Sequence, residues 1–132
     1  MKPETAAHLG KAERCLANGR AELVAAGAEP GLTDDAARNA YYAAFHSAKA
    51  LLFERTGMTQ KRHGGVHTEF HKLANAEPSI DAELLGFLTR AYDFKRIADY
   101  DIGPVGQISR ERAGNAVKVA ERFVGVIRAL VT

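Results

Sequence analysis

Arg38, Tyr42 and His46 recur at four-residue intervals. On a helix of 3.6 residues per turn each step drifts by only about 40°, so the three form one polar stripe. A guanidinium to hold a phosphate, a ring to stack on a base and an imidazole to move a proton make a phosphate- or base-binding stripe. The same spacing also describes a plain helix edge at the boundary of a bundle, with Tyr42 and His46 half-buried and hydrogen-bonded. Further along, Tyr92, Arg96, Asp99 and Tyr100 fall at three- and four-residue spacings and share a helical face. Arg96 and Asp99 read either as an ordinary exposed ion pair or, if buried, as a pair that needs compensation and hence a use.

Lys61, Arg62 and His63 stand in sequence, followed by Gly64 and Gly65. Two fixed charges, an imidazole and backbone N–H groups left approachable by glycine favour an oxyanion at the start of the next helix. His63, His67 and His71 also recur every four residues, which on one unbroken helix would align imidazoles for zinc. Gly64 and Gly65 interrupt that pattern, placing His63 in a loop, and no carboxylate or cysteine is set as a third ligand. The expectation is therefore phosphate, with no metal and no cofactor. Phosphate-binding loops, dinucleotide fingerprints and nucleophile elbows are absent from the sequence.

Helices must position these side chains. Residues 5–26 carry alanine and leucine among charges and stop at Gly27-Ala28-Glu29-Pro30-Gly31. Thr33-Asp34-Asp35 supplies cap chemistry for a second helix over 35–56, with Gly57 as its stop. Its stripe of Ala37, Ala40, Tyr41, Ala44, Phe45, Ala48, Leu51 and Leu52 has the spacing of a buried face. A basic loop over 58–65 leads to a short helix over 66–76. Ser79 caps a fourth helix over 80–99, with Leu84, Leu85, Leu88, Tyr92 and Ile97 inward. Gly103, Pro104 and Gly106 make 100–108 a loop, and Ser109 caps a last helix reaching 131. Ala113, Ala116, Val117, Ala120, Val124, Ile127 and Val131 are its inward positions. No stretch alternates like a strand. The pattern predicts an all-α, antiparallel, up-and-down four-helix bundle with one additional short helix.

The chain's 132 residues suit one domain, 1–132, and 46% hydrophobic against 26% charged residues excludes global disorder. At 14.3 kDa the folded surface should be about 6,800 Å², enough burial for a core without staples. A formal charge of +2 argues against polyanion binding by bulk charge and leaves local patches to do it. No run is apolar and long enough to span a membrane, and the first residues lack a secretory core. Cys15 cannot form an internal disulfide and reads as a small packing residue, so the expected compartment is the reducing cytoplasm.

The segment Arg38-Asn39-Ala40-Tyr41-Tyr42-Ala43-Ala44-Phe45-His46-Ser47-Ala48-Lys49-Ala50-Leu51-Leu52 resembles the signature helix of HEPN-domain proteins, in their small stand-alone branch. Lys61-Arg62-His63-Gly64-Gly65-Val66, with Phe70 after it, is similar to that branch's second landmark, and Arg96-Ile97-Ala98-Asp99-Tyr100 to its third. The resemblance implies a four-helix bundle, dimerisation, nucleotide or RNA binding, and a minimal nucleotidyltransferase partner in a toxin–antitoxin-type two-gene system. It also implies, for ribonuclease members, an arginine followed after four to six residues by a histidine that cuts RNA without a metal. Arg96 holds the arginine's place here, but no histidine follows His71 anywhere in the chain. Arg62 and His67 have the spacing, with two glycines between them.

Two functions are therefore expected. One is a cytoplasmic, homodimeric HEPN-like module that binds nucleotide or RNA through Arg38, Tyr42, Lys61, Arg62, His63 and Tyr100. The alternative is a metal-independent RNA endonuclease toxin with Arg96, Asp99 and His46 as catalytic groups. Arg38 and His46 are expected to face the end of the fourth helix near Arg96, because both polar stripes flank apolar stripes that must meet. Tyr41, Tyr42, Tyr92 and Tyr100, exposed beside Arg96, would have the make-up of a dimer interface.

Overall fold

A computed structural model describes residues 1–100 and 107–132. It contains five helices: α1 (Pro3–Ala25), α2 (Leu32–Thr56), α3 (His63–Ala74), α4 (Ala82–Tyr100) and α5 (Arg110–Val131). No strand occurs among the described residues, so the expected all-α bundle is what forms. Most of the loop expected over 100–108 lies outside the described residues, while Tyr100 belongs to α4. Among the described residues no helix is long and apolar enough to cross a membrane. The surface area is 6882 Å², close to the value that size alone predicts.

Cross-helix contacts give the topology. Thr5 bonds Glu54, and Asn39 bonds Glu22, so α1 and α2 run antiparallel. Arg38 meets Asp99 and Tyr41 meets Tyr92, so α2 and α4 are antiparallel too. Asp34 beside Ile108 and Arg55 beside Leu130 show that α2 and α5 run parallel, across the diagonal of the square. The fourth long helix returns alongside α1, with Arg20 on Glu121. This is up-and-down order, with α3 laid against α2 and α4.

α2 lies at the centre. Ala36, Ala37, Ala40, Ala43, Ala44, Ala48 and Ala50 are all fully buried, so neighbours reach it on almost every side. Small side chains make that possible, because helix axes approach closely only where little projects. Gly19 of α1 marks one such approach: a Cβ there would sit 3.3 Å from the Ala36 carbonyl oxygen and 3.4 Å from Asn39 Cβ. The inward positions expected of α2 and α5 are buried throughout, and Phe123 joins the latter. In α4, Leu84, Phe87, Leu88 and Ala91 are buried, while Leu85, Tyr92 and Ile97 are only partly so.

The helix boundaries differ from expectation for local reasons. α2 starts at Leu32 rather than 35, because the Thr33 N–H and hydroxyl both bond the Pro30 carbonyl and wind the turn directly into the helix. Asp34 is therefore no cap. Its buried carboxylate accepts the Ile108 N–H at 2.9 Å and ties the start of α2 to the approach of α5. The α4 cap is Asp81, which accepts the Leu84 N–H at 3.0 Å, rather than Ser79. Gly57 does end α2, in the left-handed conformation (φ 72°), and Ser109 does cap α5 by accepting the Arg112 N–H.

Candidate functional site

α3 begins at His63, not 66, and Gly64 and Gly65 lie inside its first turn. Each glycine costs a helix about 1 kcal/mol relative to alanine. The helix forms regardless because His63 and His67, one turn apart, both anchor on one atom. The Tyr41 hydroxyl lies 2.7 Å from His63 Nδ1 and 2.8 Å from His67 Nε2. Tyr41 is fully buried, which corrects its expected exposure. A hydroxyl has one proton, so it donates to one imidazole and accepts an N–H from the other.

All three groups are held neutral. Burial pushes the Tyr41 phenol far above its ordinary range and pulls His67 down to about 4, with His63 and His71 adding repulsion. His63 is lowered as well, by burial first and then by Lys95 and Lys49. The part-protonated imidazole expected beside Lys61 and Arg62 is thus a neutral ring turned inward. Phe45 stacks on it at 4.4 Å, and Tyr42 and Tyr92 meet it edge-on at 6.0 and 5.3 Å. Lys61 and Arg62 stay exposed at the N-terminal end of α3, where His63, Gly64 and Gly65 present the first N–H groups of the helix.

Beside this cluster runs a chain of charges. Lys95 Nζ bonds Asp99 at 2.7 Å, Asp99 takes Arg38 at 3.3 Å, and Arg38 reaches back to Asp35 at 3.0 Å. The Lys95 bond holds the Asp99 carboxyl below its ordinary range, and the same bond raises Lys95. Tyr42 is half-buried at this network, and burial raises its phenol. His46, stacked on Tyr42 at 5.9 Å, is only 8% exposed, and its Nδ1 is buried with no hydrogen-bond partner. Burial, then Lys11 and Lys49, hold it down to about 4.

The structure thus brings Arg38, Tyr42 and His46 of α2 to the same face as His63 of α3 and Asp99 of α4. Arg96 is not part of it. Its guanidinium pairs with Asp93 in solvent, the two side chains 63% and 68% exposed. It lines a shallow groove toward α5 with Ile97, Tyr100 and Arg112, and Tyr100 is 81% exposed. The expected common face of Tyr92, Arg96, Asp99 and Tyr100 is therefore split: Tyr92 and Asp99 turn to α2, Arg96 and Tyr100 away. Asp99 pairs across helices, not with Arg96.

Sequence reasoning gave Tyr41 and His67 other parts, an interface aromatic and a zinc-ligand candidate that was set aside, and missed Lys95. Tyr41 sat on the apolar stripe, and its hydroxyl left no trace in a periodicity count. The four-residue step from His63 to His67 was the available signal for an earlier helix start. Among the described residues no group of three or more His, Cys, Asp or Glu is placed to hold a metal ion.

The family model of the HEPN domain matches residues 5–130. The chain is 35% identical over 100 residues to "Putative toxin MJ0605" of Methanocaldococcus jannaschii, a match covering 76% of this chain and 72% of that protein. It is 35% identical over 68 residues to "Putative toxin MJ0142" of the same organism, covering 52% of this chain and 46% of that one. A "UPF0332 protein" of Archaeoglobus fulgidus is 32% identical over 114 residues, covering 86% of this chain and 84% of its own length.

Proposed function

The chain belongs to the HEPN-domain family, and from that premise we propose that it is a toxin-like module that binds RNA or a nucleotide. In this reading it works in the cytoplasm as a two-fold dimer and pairs with a minimal nucleotidyltransferase in a two-gene toxin–antitoxin system. The names of the two Methanocaldococcus relatives support the toxin-like role. The dimer and the partner follow from the family resemblance.

One observation carries the binding reading. Arg38, Tyr42 and His46 share a face with His63 and Lys95, and Lys61 and Arg62 stand immediately before His63. Cations on such a face neutralise phosphates, and the half-buried Tyr42 ring offers a base a stacking surface. Fluorescence anisotropy of a labelled short oligoribonucleotide tests it. Affinity should fall as salt rises, weaken about tenfold or more in Lys61→Ala with Arg62→Ala, and ignore EDTA. An affinity untouched by the double substitution contradicts the reading.

The endonuclease alternative draws on one feature, the two neutral imidazoles joined through the Tyr41 hydroxyl, which can pass a proton without a net charge. Total RNA incubated in EDTA decides it. Cleavage lost in His63→Asn but kept in Arg96→Ala favours this reading. Cleavage lost in Arg96→Ala instead moves the chemistry to the α4–α5 side. Intact RNA with the wild type excludes cutting.

A further inference from the structure

The seam between α1 and α2 gathers basic groups that make no ion pair among the described residues. The register that sets Thr5 beside Glu54, and Gly19 beside Ala36 and Asn39, places Lys11 level with His46 and Lys49. His8 stands one turn from Lys11, its ring edge-on to Phe53 at 6.4 Å. The chain has two half-buried lysines, Lys49 and Lys95. Lys95 has its carboxylate, Asp99, at 2.7 Å. Lys49 rests over the Phe45 ring at 5.6 Å, and neither it nor Lys11 has an ion-pair partner among the described residues.

Between them lies His46 with its sealed, unpartnered Nδ1. A buried N–H with no acceptor is the rarest kind of orphan, so the imidazole proton belongs on Nε2, which makes that atom a donor. Two ammonium groups and this donor therefore share one level of the α1–α2 seam, with no hydrogen-bond acceptor among the described residues. The crowding is felt: Lys49 is lowered by burial and then by Lys11. The charged and titratable groups that act on His46 are Lys11, Lys49, His8 and His63, all basic. Of the acids, Glu4 acts on His8 and Asp99 on His63.

We propose that Lys11, Lys49 and the Nε2–H of His46 form a receptor for a phosphate group, free or at the end of a nucleotide or RNA. The two ammonium groups balance a dianion, and the imidazole N–H supplies a directed third bond. The bound dianion offsets the two ammonium charges, while the sealed Nδ1 stays unprotonated and leaves Nε2 as the donor. The site extends the α2 stripe toward α1 and does not depend on RNA binding at Lys61 and Arg62.

The test is imidazole ¹H–¹⁵N NMR of the full chain during titration with inorganic phosphate, against chloride at matched ionic strength. The His46 Nε2 resonance should shift saturably, while Nδ1 keeps the resonance of an unprotonated nitrogen. The shift should vanish in Lys49→Gln and persist in Lys49→Arg. Lys11→Gln, at an exposed position, should weaken phosphate binding about tenfold without altering the melting curve. No saturable shift in the wild type, or one unchanged in Lys49→Gln and Lys11→Gln, overturns the site. Two oligoribonucleotides, one with a 5′-phosphate and one with a 5′-hydroxyl, separate the sources. Tighter binding of the former that Lys49→Gln erases assigns a terminal phosphate, and equal binding beside an intact phosphate shift assigns the free ion. Lys61 and Arg62 are unchanged throughout, so a failure of RNA binding at that face leaves the phosphate arm readable.

Discussion

The Tyr41 hydroxyl is the atom on which the face depends, since it holds two imidazoles of α3 at once. Tyr41→Phe keeps the ring and strands both nitrogens, so it should cost about 2 kcal/mol in a urea titration. A loss indistinguishable from zero would mean the histidines repartner freely. The same arrangement sets an acid dependence. In the unfolded chain His67 titrates near 6.5, and in the fold it titrates at about 4. Between those values the unfolded chain binds more protons, so stability is full above about pH 6.5 and falls as pH drops toward 4. Replacing His67 by Asn should flatten that part of the melting-temperature profile relative to wild type. An unchanged profile would place the acid sensitivity elsewhere. At this scale the sequence was half legible. Arg38, Tyr42 and His46 were visible as a stripe from spacing alone. The hydroxyl of Tyr41 was not, because its partners come from another helix and periodicity carries no long-range information.

Helices with strong apolar periods, such as α5, were legible to within a residue or two, and the stop at Gly57 and the cap at Ser109 act as read. α3 was misplaced at its start because two glycines outweighed the His63–His67 step in a local reading, whereas tertiary anchoring outweighs them in the fold. Arg96 was misassigned for a related reason: residues at mixed three- and four-residue steps spread over enough arc to face different neighbours. Glycine substitutions test the packing account. A Cβ added at Gly125 on α5 would meet nothing within 4 Å, so Gly125→Ala should stabilise by about 1 kcal/mol. Gly19→Ala gains the same propensity but drives a Cβ against the Ala36 carbonyl, which cannot rotate away, so it should be destabilising by about 1 kcal/mol. Paired thermal melts decide this, and equal gains at both sites would contradict the close α1–α2 approach.

For the whole molecule, the up-and-down order was legible because each connection is short and each long helix has one apolar face. Which polar groups share a face was less so, as it depends on how α3 and α4 roll against α2. The proposed dimer predicts about twice 14.3 kDa by light scattering at micromolar concentration. A monomer there removes the dimer and leaves the face of a single chain. That face is the central claim, and amide chemical-shift mapping during addition of a short single-stranded RNA tests it most directly. The largest changes should follow Arg38, Tyr42 and His46 on α2, Lys61 to Gly65 at the start of α3, and Lys95 and Asp99 on α4. Changes confined to Arg96, Tyr100 and Arg112, or none at all, would contradict it.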